Sequence, residues 1–323
     1  MIKQSLTFIT IILMIVISGC TAPNKDLSKK LVYENEISKE ISENNLILRY
    51  SMNDKNKEYL ISSLLKKDYA FDVVFSNDEY SKIDDVLIES NLSFFCNSFL
   101  DDQKNKLNSV LFDDNDSHDR VLVIYTPEYE NEIIFLKENF SEPKFFLLEN
   151  SLYENFVMEV IGVDSSTERY KKIQALDKNI TIESSPREYK DFDKIYFLMD
   201  HEIGKTVIPI FRSYLITTEF YSTAKIFIGA SSLKELNDFE NMFIPTSDYI
   251  FKKIALKDSI LSIEDEFNRA LMEDLISAEI IDQNNLYGIN FVFNSGLSKT
   301  KRSQCLEREL PLWKVSLNDF NLL

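Results

Sequence analysis

The sequence predicts an α/β fold of two lobes built on parallel sheets, after an N-terminal signal peptide. Short apolar runs recur along the chain, and most are followed by residues with helical periodicity, which is typical of βαβ units. The runs are apolar almost throughout, which indicates strands covered on both faces. They form two successive series, Leu46–Leu111 and Arg120–Gly229, joined by the acidic loop 113–119, and this break predicts two lobes.

Residues 1–19 predict a lipoprotein signal peptide. Lys3 supplies a positive charge, and Leu6 to Ile17 form an apolar core that is too short to span a bilayer. The next residues, Ile-Ser-Gly followed by Cys20, resemble the lipobox of bacterial lipoproteins. The resemblance implies cleavage before Cys20 and acylation of this residue. The alternative is an ordinary membrane anchor, or a secretory signal with a chance cysteine.

The region 20–44 is predicted to be a lipidated tether followed by a surface helix, and 45–115 to be the first α/β lobe. Leucine and isoleucine at helical spacing among charges predict the surface helix from Leu27 to Ile41. In the first lobe, strands are expected at Leu46–Tyr50, Phe71–Phe75 and Leu92–Cys96, and helices at Asn56–Lys66, Glu79–Glu89 and Phe99–Leu111.

The second α/β lobe is predicted to span 116–250, and 251–323 to supply a helix and a strand that return to the lobes. The expected strands are Arg120–Tyr125, Lys144–Leu148, Lys194–Met199 and Lys225–Gly229, and the expected helices are Glu128–Asn139, Ser151–Val160, Thr167–Leu176 and Lys205–Thr217. The C-terminal helix is expected at Ile260–Ile280 and the late strand at Ile289–Phe293. Leu122, Ile124, Ile195, Phe197 and Phe227 are expected to line buried sheet.

The net charge, the apolar stretches and the cysteines limit the partners and the covalent bonds that the chain is expected to have. The chain has 36 basic and 53 acidic residues, and a net charge of −17 argues against binding nucleic acid or anionic lipid by electrostatics. No second apolar stretch approaches membrane-spanning length, so the lipid is the only membrane attachment expected. Cys96 and Cys305 show no spacing signature, and we expect them to be unpaired, mostly buried thiols, although an oxidising compartment would permit a bridge.

The residues that could carry chemistry predict no catalytic group, no metal site and no cofactor. The loop 113–119 lacks the glycine and glutamate that a calcium loop needs at its sixth and twelfth positions, and a solvated acidic turn is favoured. His201 follows a strand but has no nucleophile motif beside it, and a helix-capping role is favoured. None of the 6 glycines forms a phosphate-binding pattern.

Polar residues that follow the strands form a possible ligand cleft. In parallel sheets the carboxyl ends of the strands meet at one edge, where ligands bind. The residues expected there are Ser76, Asn97, Ser98, Thr126 and Ser231. They could bind a small polar ligand, but they are also common cap and turn residues. Capping is favoured, because the glycines that let a backbone approach a ligand are missing.

Segments between 186 and 245 resemble the LppC-type lipoproteins, the penicillin-binding-protein activators related to LpoA. The resemblance is carried by Pro-Arg and Asp-Phe-Asp before the strand at 194–197, by VIPIF at 207–211, by TAKIFIGASS at 223–232 and by NDFENMFIP at 237–245. Near the end, 287–313 resembles the family's terminal strand and Arg-Leu-x-Trp region. The resemblance implies the type I periplasmic-binding-protein fold.

The resemblance also implies a function. It is that of a non-catalytic envelope lipoprotein that regulates peptidoglycan synthesis by binding a penicillin-binding protein or another envelope protein. The alternative is a solute-binding lipoprotein that holds a small polar ligand between its lobes. Thr21 stands where an Asp often retains lipoproteins in the inner membrane. The absence of an Asp at this position favours anchoring in the outer membrane, with the protein facing the periplasm.

We expect Cys20→Ser to abolish acylation and to leave an unprocessed precursor, because serine lacks the thiol that accepts the lipid. Labelling with palmitate followed by electrophoresis measures both effects. Thr21→Ser, next to the acceptor, is the matched control and should be processed normally. Palmitate incorporation into the Cys20→Ser protein would show that the acceptor lies elsewhere.

Overall fold

The computed structural model describes residues 31–33, 46–67, 70–76, 81–112, 120–149, 152–176, 192–215, 217–231, 233–255, 262–302, 304–316 and 321–322. The predicted signal peptide with Cys20, the tether and the acidic loop 113–119 lie outside these residues.

The elements alternate as βαβ units in most of the chain. The strands are β1 Leu31–Val32, β2 Leu46–Ser51, β3 Phe71–Phe75, β4 Ser81–Lys82, β5 Val121–Tyr125, β6 Lys144–Leu147, β7 Lys194–Leu198, β8 Glu219–Ser222, β9 Met242–Pro245, β10 Asn290–Phe293, β11 Gly296–Lys299, β12 Leu312–Lys314 and β13 Asn321–Leu322. The helices are α1 Asp54–Leu64, α2 Phe99–Phe112, α3 Glu130–Asn139, α4 Tyr153–Val160, α5 Val163–Leu176, α6 His201–Tyr214, α7 Lys225–Ile228, α8 Asp248–Ala255 and α9 Ile263–Gln283.

The second lobe is a seven-stranded sheet with the order β13-β12-β9-β8-β7-β5-β6, in which the five strands β5 to β9 are parallel. Every side chain of β5 is buried, as its continuous apolar run predicts. Leu122 and Ile124 face one apolar layer, whereas Val121 and Val123 face a second layer that includes Leu107 of α2. The prediction of sheet covered on both faces is confirmed for this lobe.

The first lobe contains the parallel sheet β3-β2-β4 and a second sheet, β1-β10-β11. In β2, buried residues alternate with exposed ones, so the expectation of two covered faces is wrong here. The exposed face carries Ile47 and Arg49, paired with Asp72 and Val74 of β3. Apolar and charged side chains alternate on this face of the sheet, which is exposed to water.

The chain passes between the lobes in α2, at 246–247 and at 310–311. The later two passages are joined, since the Thr246 N–H donates to the Pro311 carbonyl at 3.1 Å. The start of α2 packs on α9 of the first lobe, with the rings of Phe99 and Phe267 6.1 Å apart. A single apolar core therefore continues from one lobe into the other.

The predicted strand Lys225–Gly229 is wrong, because these residues form the short helix α7 and its C-terminal turn. Phe227 is buried as expected, but in a helix. A Cβ atom on Gly229 would lie 2.7 Å from the Cβ atom of His201, so the chain turns where only glycine fits. The strands that follow β7 in the sheet are instead β8 and β9, which are too short to show a periodicity.

Two predicted elements of the first lobe are also wrong. Leu92–Cys96 makes only an isolated bridge at Phe95, because Phe94 adopts a left-handed φ of 73° that interrupts an extended strand. The described part of the predicted helix Glu79–Glu89 is β4 followed by turns. There Ser90 Oγ accepts the Asp84 N–H at 2.8 Å, which stabilises a loop in place of a helical turn.

The predicted surface helix Leu27–Ile41 is contradicted where the structure describes it, since Leu31–Val32 is strand β1, parallel to β10. Tertiary pairing with β10 overrides the helical spacing. No helix in the described ranges combines the length and apolar character needed to cross a membrane.

The expectation of unpaired thiols is wrong, because Cys96 and Cys305 form a disulfide. The two residues are 209 positions apart, and their Cα atoms lie 4.9 Å apart. Phe95, next to Cys96, pairs with Leu306, next to Cys305. The fold thus brings together two cysteines that no local spacing could have matched.

We expect Leu122→Asp to lower the free energy of unfolding by roughly 4 kcal/mol or more, because it buries an unpaired carboxylate in the sheet. Thermal unfolding should show a midpoint lower by about 10 °C. Ile173→Asp on the exposed surface of α5 is the control and should shift the midpoint little. Equal midpoints for the two variants would contradict a buried position for Leu122.

Candidate functional site

Thr126 follows β5 at the carboxyl end of the second-lobe sheet, as the sequence predicts. It is buried, and its N–H donates to the Leu198 carbonyl at 3.1 Å, which extends the pairing of β5 with β7. Its hydroxyl lies 3.5 Å from the same carbonyl oxygen. Thr126 therefore completes the sheet end and begins the turn at Pro127–Tyr129.

Asn97 and Ser98 lie together at the start of α2. The Ser98 hydroxyl accepts the Asp101 N–H at 3.1 Å and donates to the Asp101 carboxylate at 2.7 Å, which is a helix N-cap. Asn97 Nδ2 donates to Asp102 Oδ1 at 2.9 Å. Both side chains bind their own helix, which agrees with the favoured capping role.

Ser231 and Ser76 lie at other strand and helix ends. Ser231 is exposed beyond α7, where its N–H donates to Glu235 at 3.2 Å and its hydroxyl donates to the same carboxylate. The Ser76 N–H, just beyond β3, donates to the carbonyl of Tyr50 in β2 at 3.4 Å. Ser76 thus extends the pairing of β3, and Ser231 binds its own loop.

A charged cluster that the sequence did not reveal lies at the carboxyl ends of β5, β7 and β8. The Tyr129 hydroxyl donates to Asp200 at 3.2 Å, and the Lys225 ammonium lies 3.7 Å from the same carboxylate. Lys225 also forms an ion pair of 2.8 Å with Glu89 of the first lobe. This cluster spans the space between the lobes. Its one sequence signal is Asp200, which directly follows a predicted strand.

Burial and charge fix the protonation states in this cluster. Burial raises the pKa of the Tyr129 hydroxyl, and the charge of Asp200 raises it further, so Tyr129 is a neutral donor. Burial alone would lower the pKa of Lys225, but Glu89, Asp200 and Glu128 outweigh burial and raise it. An ammonium therefore bridges carboxylates of both lobes.

Gln103 joins the same region from α2 and is completely buried. Its amide nitrogen donates to the Pro245 carbonyl at the end of β9. Its amide oxygen accepts the Ala224 N–H at 3.1 Å, just beyond β8. Backbone groups at strand ends are common ligand contacts in α/β folds. Here a side chain of the protein takes them.

His201 is the first residue of α6, and its buried ring does not cap that helix. Nδ1 lies 2.8 Å from the Ile226 carbonyl oxygen, and Nε2 lies 3.3 Å from Glu235. Glu235 also binds Ser231, so the serine contacts the acid and not the imidazole. That order does not activate a serine nucleophile, which needs contact with the histidine.

Arg308 lies where the lobes join, and its side chain is fully buried. Nη1 donates to Asp102 at 2.8 Å and to the Asn97 carbonyl at 3.1 Å, and Nε donates to Ser295 Oγ at 2.9 Å. The guanidinium carbon lies 3.8 Å from the ring centroid of Phe95. One cation thus holds the start of α2 and the β10–β11 turn against the segment after the disulfide.

Asp274 of α9 lies beside this cluster and is also fully buried. Its carboxylate accepts the N–H groups of Asn294 and Ser295 at 2.6 and 2.7 Å, which fixes the β10–β11 turn. Burial raises the pKa of Asp274 to about 7, although the bonds from Ser295 and Asn294 and the charge of Arg308 oppose the shift.

A cavity of about 670 Å³, a volume within the range of ligand sites, lies beside the interlobe passages at Ser247 and Pro311. Its lining includes Tyr249, Glu273 and Asn294, and none of the predicted cleft residues. Asn294 Nδ2 donates to the Glu273 carboxylate at 3.1 Å, and the Tyr249 hydroxyl donates to the same carboxylate at 3.5 Å. These polar groups are occupied by one another. The described ranges hold no group of three His, Cys, Asp or Glu residues arranged to bind a metal ion.

The chain matches no protein-family model and no curated protein sequence. Among solved structures, it is similar to a protein assigned to a branched-chain amino acid ABC transporter of Rhodospirillum rubrum, with a TM-score of 0.52 and 11% identity over 87% of this chain and 100% of that chain. This similarity establishes a type I periplasmic-binding-protein-like fold, as the sequence predicts.

Other similar structures include full-length LpoA of Haemophilus influenzae, with a TM-score of 0.43 and 8% identity over 86% of this chain. The chain spans about half of that protein, 48% of its length. A solute-binding protein of R. palustris in complex with benzoate gives a TM-score of 0.43 and 7% identity over 87% of this chain and 96% of that chain.

We expect the stability difference between Asp274→Asn and the parent protein to depend on pH. An aspartate whose pKa is raised on folding stabilises the fold below its unfolded pKa near 4, and this stabilisation is lost as pH rises through about 7. The parent should therefore lose stability relative to Asp274→Asn between pH 5 and pH 8, by about 3 °C or more in the midpoint. Thermal unfolding at fixed ionic strength measures this. Asp164→Asn, at an exposed position, is the control. A constant difference for Asp274→Asn would contradict the raised pKa.

Proposed function

We propose that this chain is a non-catalytic envelope lipoprotein, held by lipid at Cys20 on the outer membrane and facing the periplasm, that acts by binding another envelope protein. A penicillin-binding protein is the proposed partner, and control of peptidoglycan synthesis is the proposed role. The partner is suggested by the resemblance of 186–245 to LppC-type lipoproteins.

The observation that carries the proposal is that polar and charged groups at the strand ends between the lobes already bind the protein's own side chains. Gln103 takes the backbone groups at the ends of β8 and β9. Lys225 of the second lobe pairs with Glu89 of the first lobe at 2.8 Å. A protein that closes on a solute leaves such groups for the ligand, whereas a docking protein has no need of an open cleft.

The charges in the cluster also favour docking over solute binding. Asp200 is the group that could bind the amine of a ligand, but it already accepts from Tyr129 and lies 3.7 Å from Lys225. A cationic ligand would have to displace the ammonium of Lys225 and break its ion pair with Glu89. That displacement costs free energy that a small polar ligand has few contacts to offset.

The disulfide supports an exported location. Cys96 and Cys305 are bridged, and structural disulfides persist in oxidising compartments such as the periplasm. This agrees with the lipobox-like sequence that ends at Cys20.

We expect the lipoprotein in detergent to show no thermal shift with amino acids or sugars at millimolar concentration, because its interlobe groups are already paired. A ligand at a hundred times its Kd adds about 2.7 kcal/mol, or several degrees. In the same preparation we expect saturable binding to the periplasmic part of a penicillin-binding protein, measured by biolayer interferometry.

Asp200→Asn and Tyr129→Phe are the matched variants, since each keeps the shape of its side chain. A reproducible shift of several degrees that is lost in these variants, together with no binding to any penicillin-binding protein of the same cell, would establish the solute-binding alternative.

A further inference from the structure

An exposed apolar patch lies on the second lobe, at the end of the sheet formed by β6. Helix α3 packs on the sheet through Ile133 and Leu136, and its outer side exposes Ile134 and Phe135. Leu147 is exposed at the end of β6. We call Ile134 and Leu147 the α3–β6 patch.

The flank of α3 that faces β6 is identified by Lys137, whose ammonium lies 5.3 Å from the ring centroid of Phe145. The opposite flank faces α2, because Glu132 pairs with Lys104 at 2.7 Å. Ile134 lies on the β6 flank, since it is three residues before Lys137 in the helix. The patch therefore begins beside the edge strand.

Leu147 lies on the same side of the sheet as Phe145, because side chains two apart in a strand share a face. Helix α3 connects the parallel strands β5 and β6 and so runs opposite to them. One turn back along α3, from Lys137 to Ile134, thus corresponds to the step forward along β6 from Phe145 to Leu147. Ile134 and Leu147 therefore lie on the same flank of the second lobe.

Acidic residues outnumber the one lysine beside this apolar surface, Lys137, which lies on the same flank of α3. Glu130 and Glu138 stand one turn before and after Ile134 on the helix, and Glu149 follows Leu147 by two residues. All three are exposed, and within the part of the chain that the structure describes none of them has a salt-bridge partner. An apolar centre with a negative rim fits an apolar group carried between basic residues.

The edge of β6 offers further contacts. In the described ranges β6 pairs with β5 alone, and the Leu148 N–H just beyond it donates toward β5. Because backbone groups alternate between the two sides of a strand, those of Phe145 and Leu147 point to the open edge. An extended segment could pair there.

We infer that the α3–β6 patch is the docking surface for the partner, and that it binds an extended segment with apolar side chains flanked by Lys or Arg. This inference rests on the proposed function and specifies where the partner binds. A second copy of this chain is disfavoured, because two acidic rims would repel each other. An anionic membrane surface is disfavoured by the same charges.

The test places the photo-crosslinking residue p-benzoylphenylalanine at position 134 or 173 of the full lipoprotein in its own cell. Ile134 and Ile173 are each 52% exposed, so position 173 is a matched control. We expect an adduct from position 134 and none from 173, lost when Glu130→Lys and Glu138→Lys are added. Peptide mapping should place the adduct in a segment of net positive charge. An adduct with a second copy, an acidic segment at the adduct, or no adduct would overturn the inference.

A second measurement separates this inference from the proposed function. Binding of the lipoprotein to the penicillin-binding protein is measured with Ile134→Ser and with Ile173→Ser. We expect Ile134→Ser to weaken binding about thirtyfold, as for a hot-spot residue, and Ile173→Ser to leave it unchanged. Tight binding that is unaffected by Ile134→Ser would overturn the patch and leave the proposed function standing, whereas no binding by the parent protein would count against the function itself.

Discussion

The arrangement of the lobes depends on one buried cation, Arg308. Its guanidinium cannot lose its charge inside the protein, so the surrounding segments supply acceptors to its Nε and Nη1 atoms. Asp102, the Asn97 carbonyl and Ser295 do so from α2, from the loop before it and from the β10–β11 turn. Removing one partner from such a buried pair generally costs about 3–5 kcal/mol. The hinge is therefore defined by a polar cluster as well as by the apolar core.

The disulfide and Asp274 reinforce the same junction. The Cys96–Cys305 bridge ties the loop before α2 to the returning C-terminal segment, three residues from Arg308. Asp274 fixes the β10–β11 turn through two backbone N–H groups. With the hinge held in this way, Gln103 and the Lys225–Glu89 pair keep the strand ends of the second lobe in contact with the protein itself. Occupied strand-end groups and an exposed apolar surface are the two features on which the proposed binding of another protein rests.

The predicted polar residues show how far sequence reasoning reached into the site. Ser98 and Thr126 were placed correctly at strand and helix ends, because a cap or turn residue is a local signal. Lys225 was missed because it begins an apolar run that could be a short strand or a helical turn. Glu89 was missed because its partner lies in the other lobe. The α3–β6 patch was missed because it depends on how α3 lies along β6.

The sequence by itself determined the α/β class, the buried parallel strands β5 and β7 and the helices that follow them, since continuous apolar runs and helical periodicity are local properties of the chain. Only the tertiary structure decided the pairing of Cys96 with Cys305, the conversion of 225–229 to a helix, and the placing of Arg308 among acceptors from distant segments. Those features depend on contacts between residues far apart in the chain, and no local pattern specifies which distant residue a side chain will meet.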